Sequence, residues 1–197
     1  MTYSLEDLVA LNGGRTKARV KDGWLRGAVV ARDSKKNQSP MRLIGIDPGT
    51  RFVGWGVVDF DARKGSTTLV DCGCIAPGVK LELKDRLCGI FEALEAILKR
   101  MRPEYAALEE TFAGVNMKSA IAMGEGRGIA LLALARCTPH VMELSPRSIK
   151  QAVTGSGAAS KARVAQMVAA RLGLKQAPGP EDVTDALAAA LALAQRL

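Results

Sequence analysis

The pattern of hydrophobic and polar positions changes character at Met41. Before it, apolar residues are scattered through polar and basic sequence with little periodicity. After it, short apolar runs alternate with stretches of helical spacing, which predicts alternating strands and helices. Leu43, Ile44 and Ile46 form the first run; it stops at Asp47 and turns at Pro48-Gly49, and a second β-prone run follows with Phe52, Val53, Val57 and Val58. Strands are predicted over 42–47, 52–59 and 67–75, close enough together for an antiparallel meander. Leu83, Leu87, Ile90, Leu94, Ile97 and Leu98 predict a helix over 83–101, ending before Pro103. A buried strand runs from Tyr105 to Leu108 and stops at Glu109-Glu110. An apolar, Gly- and Ala-rich helix is predicted over 117–136, and a fifth strand from His140 to Leu144. Ser160 caps a helix running to Leu172, and a last helix runs from Pro180 to Arg196. This order predicts an α/β domain with a mixed five-stranded sheet flanked by helices.

Residues 1–40 are expected to form a basic, poorly ordered N-terminal extension ahead of a single domain over 41–197. Ser4 to Leu11 could make a turn or two of helix, with Ser4 as cap. Met41 reads as the functional start; the rival reading is a basic arm that clamps nucleic-acid phosphates. Charge sharpens the contrast. The 197 residues carry a net charge of +8. Eight Lys and Arg face four acids in residues 1–40, against twenty and sixteen over 41–197. A basic chain favours a polyanionic partner, nucleic acid first. Aromatic residues make up only 4%, which argues against a platform of stacked bases.

Cys72, Cys74, Cys88 and Cys137 lack the paired C-x₂-C spacing of a zinc site, and Cys72 and Cys74 read as buried thiols on one face of a strand. No signal peptide opens the chain, and its apolar stretches, Ile129 to Ala135 among them, are too short to span a bilayer. The expectation is a cytoplasmic, reduced protein with no membrane partner.

The acids at element ends carry the candidate chemistry. Asp47 ends the first strand and Glu109 the fourth. If those strands are neighbours, the two carboxylates meet at one sheet edge. Asp182 and Asp185 stand at i and i+3 near the start of the last helix, flanking its apolar stripe of Val183, Ala186, Leu187, Ala190, Leu191 and Ala194. Four such acids repel unless a cation is bound, and hard oxygen ligands select Mg²⁺ or Mn²⁺. Two ions about 4 Å apart are the usual apparatus for attack of water on a phosphodiester. His140, the only histidine, opens a strand and offers no general base near these acids.

Gly45-Ile46-Asp47-Pro48-Gly49-Thr50 with Gly54-Trp55-Gly56, then Ala107-Leu108-Glu109-Glu110-Thr111-Phe112, then Asp182-Val183-Thr184-Asp185-Ala186-Leu187-Ala188, resemble the RuvC family of Holliday-junction resolvases. The resemblance covers essentially all of 41–197; the leader before Met41 departs from it. It implies a ribonuclease-H-like fold and a homodimer that nicks four-way DNA junctions symmetrically with Mg²⁺, with Mn²⁺ able to substitute, leaving 5′-phosphate ends. Branch-migration machinery is the protein partner it implies. By motif position, Asp47, Glu109, Asp182 and Asp185 carry over as catalytic, metal-binding carboxylates. Glu110 is the alternative to Glu109, expected on the opposite face of the strand. Phe112 resembles the family's aromatic wedge near the junction centre, with an ordinary core Phe as the other reading. Lys150 and Lys161, bracketing the loop 154–160, carry over as DNA-contacting lysines, and Lys161 near a helix start can hold phosphate together with backbone N–H groups. The dimer contact is expected on the helix around Gly124-Glu125-Gly126-Arg127-Gly128 or on the helix before it.

Three rivals bear on this reading. The Asp-x-Gly-Thr stretch also resembles the phosphate loop of actin-like and sugar-kinase ATPases, which need a second, duplicated domain. A YqgF-like nuclease acting on RNA shares the opening motif. A non-catalytic junction-binding protein would be expected to have lost one or more of the four acids.

Overall fold

A computed structural model of the chain describes residues 40–78, 80–110 and 117–197. Apart from Pro40, the expected N-terminal extension lies outside the described residues, and so does Phe112. The elements are β1 (Met41–Asp47), β2 (Val53–Asp61), β3 (Ser66–Ile75), α1 (Leu83–Met101), β4 (Tyr105–Glu109), α2 (Met117–Cys137), β5 (His140–Leu144), α3 (Pro146–Thr154), α4 (Lys161–Arg171) and α5 (Glu181–Ala194).

The five strands form one sheet in the order β3-β2-β1-β4-β5. Short connections make β1, β2 and β3 antiparallel neighbours, whereas crossovers through α1 and α2 bring β4 and β5 in parallel to β1. The mixed sheet and the neighbouring of β1 and β4 are therefore as expected. Because parallel strands point the same way, Asp47 and Glu109 end at one edge of the sheet. His140 begins β5 and so lies at the other edge, stacked on Tyr105 with ring centroids 4.8 Å apart.

Alternation along each strand divides the core in two. Ile44 and Ile46 of β1, Trp55 and Val57 of β2, and Ala106 and Leu108 of β4 pack with Leu94 and Leu98 of α1 and Leu134 of α2. Leu43, Val58 and Ala107 face the opposite way, toward α5, with α3 and α4 closing over it through Ile149, Val153, Val164 and Val168. Asp47 and Glu109 share the parity of Leu43 and Ala107, so they stand on the α5 side.

Two elements differ from expectation. α3 is absent from the expectation: it is short at nine residues, although its two buried positions, Ile149 and Val153, stand at helical spacing. Its ends are nonetheless marked, by Ser145 accepting from the Ser148 N–H, Pro146 in the first turn and Gly155 in the left-handed conformation at φ 82°. α5 was expected to bury one stripe. Instead every residue from Val183 to Ala194 except Asp185 is buried, because the sheet lies under the helix and α3 and α4 cover it.

Candidate active site

Glycines set the depth at which α5 meets the sheet. A Cβ on Gly45 would lie 2.0 Å from the Ala186 carbonyl oxygen, and one on Gly54 would lie 1.9 Å from that of Asp182. Both obstructions are backbone, so the strands admit the helix only because these positions have no side chain. Gly54 is also the β2 residue opposite Asp47. The contact that lowers α5 onto β2 therefore fixes the start of the helix beside the tip of β1. Asp182 lies in the first turn, where the helix dipole favours an acid, and Asp185 follows three residues later on the same side.

The electrostatics show which acids share a field. Asp47 is pushed up to about 7, first by burial, then by repulsion from Asp185 and Asp182, with Lys161 acting against them. Glu109 is pushed up to about 8 by burial, Asp47 and Asp185, opposed by Lys150 and Lys161. Burial also raises Asp185, with Lys161 pulling the other way. All four predicted acids and both predicted lysines thus meet at one edge. The carboxylates share a field without a closed shell: among the described residues, no three acidic, cysteine or histidine side chains are grouped tightly enough to enclose a metal ion.

The expected role of the α4 start changes in detail. Ser160 caps the helix by accepting from the Arg163 N–H, so that donor is occupied. The Lys161 Nζ turns to acids, 2.9 Å from Glu181 and 3.9 Å from Asp185. The loop before it is held by its own bonds, with Gln151 donating to the Gly155 carbonyl and accepting from the Gly157 N–H.

Sequence reasoning missed three contributors. Glu181 carries no signal in the sequence pattern, and its carboxylate bonds Lys161. Cys74 is half-buried; burial raises its thiol, and Asp182 and Asp47 raise it further, which puts it beside the acidic edge. Gly126 of α2 lies in the stretch expected to make the dimer contact, and it packs against the loop that follows β1: a Cβ there would lie 2.6 Å from the Gly49 carbonyl. Arg127, the next residue, pairs with Glu143 and ties α2 to β5. The tightness at Gly126 and Gly54 is visible only once α2 and α5 are in place.

A mixed sheet in this order, with acids at the tips of its two central strands and on the helix lying across them, defines a ribonuclease-H-like fold carrying a carboxylate centre. Within that class, the chain belongs to the family described as crossover junction endodeoxyribonuclease RuvC, whose model matches residues 43–193. The crossover junction endodeoxyribonuclease RuvC of Chloroflexus aurantiacus is 44% identical over 151 residues, which are 77% of this chain and 91% of that protein. The structure of Thermus thermophilus RuvC superposes with a TM-score of 0.70 at 36% identity, covering 77% of this chain and 92% of that one. The same protein in complex with a Holliday junction substrate gives 0.71 at the same identity and coverage.

Proposed function

We propose that this chain resolves four-way DNA junctions as a divalent-metal-dependent endonuclease, with Asp47, Glu109, Asp182 and Asp185 as its catalytic carboxylates. The observation that carries the reading is the meeting of these four acids, and of Lys150 and Lys161, at one edge of a RuvC-family sheet. The donor chemistry fits a hard cation: every candidate ligand is a carboxylate, and Asp47 and Glu109 are held in the protonated range by burial and mutual repulsion that a divalent ion relieves. Asp47 and Glu109 would hold the metal from the sheet side, Asp182 and Asp185 from the helix side. When bound, Mg²⁺ or Mn²⁺, two ions per site in our reading, activates the attacking water and stabilises the leaving 3′ oxygen.

The remaining residues bind and orient. Lys150 and Lys161 would draw a phosphate to the acidic edge and reduce its repulsion from the carboxylates. Phe112 is assigned to the junction centre by motif position. Residues 41–197 form the nuclease domain in this reading, 1–40 are an extension to it, and the setting is cytoplasmic, with branch-migration machinery as partner. Among the described residues, no helix is long and apolar enough to cross a membrane.

Two symmetric nicks leaving 5′-phosphates call for two copies. The outer face of α2 supports a homodimer: Met117, Ile121 and Leu132 are 79%, 58% and 50% exposed, and a Cβ on Gly124 or Gly128 between them would meet open space. The test is cleavage of an immobile four-way junction with and without Mg²⁺. The wild type should cut only with metal, and Asp47→Asn should cut at least about a hundredfold more slowly while still binding the junction. Intact cleavage by Asp47→Asn would remove the site; preference for linear duplex or RNA would remove the function.

A further inference from the structure

We propose that Glu181, which lies outside the four assigned carboxylates, is a positioning residue that parks the Lys161 ammonium at the rim of the acidic edge and keeps it out of the metal centre. The inference rests on the metal-centre reading above. Lys161 opens α4 and Glu181 opens α5, so two helix starts face each other beside the site. The ammonium is bonded to Glu181 at 2.9 Å and stands 3.9 Å from Asp185, beyond hydrogen-bond distance. Beside the pair lies a cavity of about 490 Å³ whose wall includes Ala162, Ala165, Ala177 and Gly179. The lysine side chain is mostly exposed, and the only hydrogen bond of its head among the described residues is to Glu181.

Without that bond, the field within reach is that of Asp185, Asp47 and Glu109. An ammonium drawn among them would occupy the place of a divalent ion while bringing half its charge. It would compete with the metal and be lost to the DNA. Held by Glu181, Lys161 stays 62% exposed, where a substrate phosphate can take over its hydrogen bond. Glu181 thus separates two roles that one flexible cation would otherwise confuse, phosphate contact and charge neutralisation of the centre.

The test is calorimetric titration of Mn²⁺ into the full-length protein without DNA, for wild type, Glu181→Gln, Lys161→Met and the double variant. An exposed ion pair is a weak restraint, so Glu181→Gln should weaken Mn²⁺ binding about threefold to fivefold. In the Lys161→Met background the same change should do nothing, because no ammonium is left to be released. An equal loss in both backgrounds would mean that Glu181 attracts the ion through its own charge, and would overturn the proposal, as would unchanged binding in Glu181→Gln alone. In junction cleavage, Glu181→Gln should raise the Mn²⁺ concentration needed for half-maximal rate and leave kcat at saturating metal unchanged; a lowered kcat would also overturn it. Mn²⁺ binding that survives in Asp47→Asn would instead indict the assignment of the centre, which keeps the two failures apart.

Discussion

Asp47 occupies a position where burial and neighbouring acids make its charge costly. Its folded pKa, raised to about 7 from the ordinary carboxylate range, means that the folded protein holds a proton the unfolded chain has already released. The sign follows directly: stability is full below the unfolded value and is lost as the pH rises through the folded one. Glu109, raised to about 8, acts in the same direction. In metal-free protein, the Tm advantage of Asp47→Asn over wild type should therefore grow by about 5 °C between about pH 5 and pH 8.5. If Asp47 holds the metal as proposed, saturating Mg²⁺ should shrink or reverse that advantage, since only wild type keeps the carboxylate. Thermal melts at the two pH values with and without Mg²⁺ decide the matter; a difference independent of pH would mean that Asp47 is ionised without cost. Both acids were legible in the sequence because each interrupts an apolar run at a strand end. The bond between Lys161 and Glu181 was not, because nothing in a sequence pattern links one helix start to another twenty residues on.

At the scale of elements, the site depends on how closely α5 lies on β1 and β2. Gly54 and Gly56 make the argument testable, because their obstructions differ. A Cβ on Gly54 meets the Asp182 carbonyl, which belongs to the helix backbone, whereas one on Gly56 comes within 2.5 Å of the Leu187 side chain. Backbone can yield only if the start of α5 lifts, and Asp182 and Asp185 lift with it. A leucine can rotate at a cost of about 1–3 kcal/mol in a packed core. Both alanine variants should lose stability in urea unfolding, but Gly54→Ala should lose far more junction cleavage per unit of stability lost than Gly56→Ala. Equal ratios would show that α5 is not held in register through Gly54. Most element ends were legible from caps and prolines, as at Arg102-Pro103 and Ser160. α3 escaped because it is short, although Ile149 and Val153 stand at helical spacing and Ser145, Pro146 and Gly155 frame it by capping chemistry. The close approach of α5 escaped for a different reason: Gly45 and Gly54 read as parts of a strand motif, and their necessity appears only with the helix in place.

At the scale of the molecule, α2 joins two functions that the sequence presents separately. Its inner face touches the loop after β1, with Gly126 against Gly49 and Thr50, and its outer face exposes Met117, Ile121 and Leu132 around Gly124 and Gly128. A second copy laid on that outer face would bury apolar surface that a monomer leaves in water. In a two-fold interface each residue counts twice, so loss of Ile121 burial removes about 3 kcal/mol or more and weakens association at least about a hundredfold. Ile121→Glu adds two buried charges to that loss. The variant should sediment as a monomer at micromolar concentration and still unfold cooperatively, with a Tm that no longer depends on protein concentration, because Ile121 is outside both cores. Its cleavage should change in kind as well as in rate. With one active site per particle, a junction should accumulate singly nicked product before the opposing strand is cut, whereas the dimer should deliver both cuts within one encounter. A supercoiled plasmid carrying an extruded cruciform distinguishes these outcomes, since one nick gives relaxed circles and two give linear DNA. If Ile121→Glu remains dimeric, the interface lies elsewhere, and α1, which packs beside α2, is the next surface to alter. If it is monomeric yet still yields linear DNA without a nicked intermediate, paired cutting does not require the two sites to be joined, and the outer face of α2 serves assembly alone.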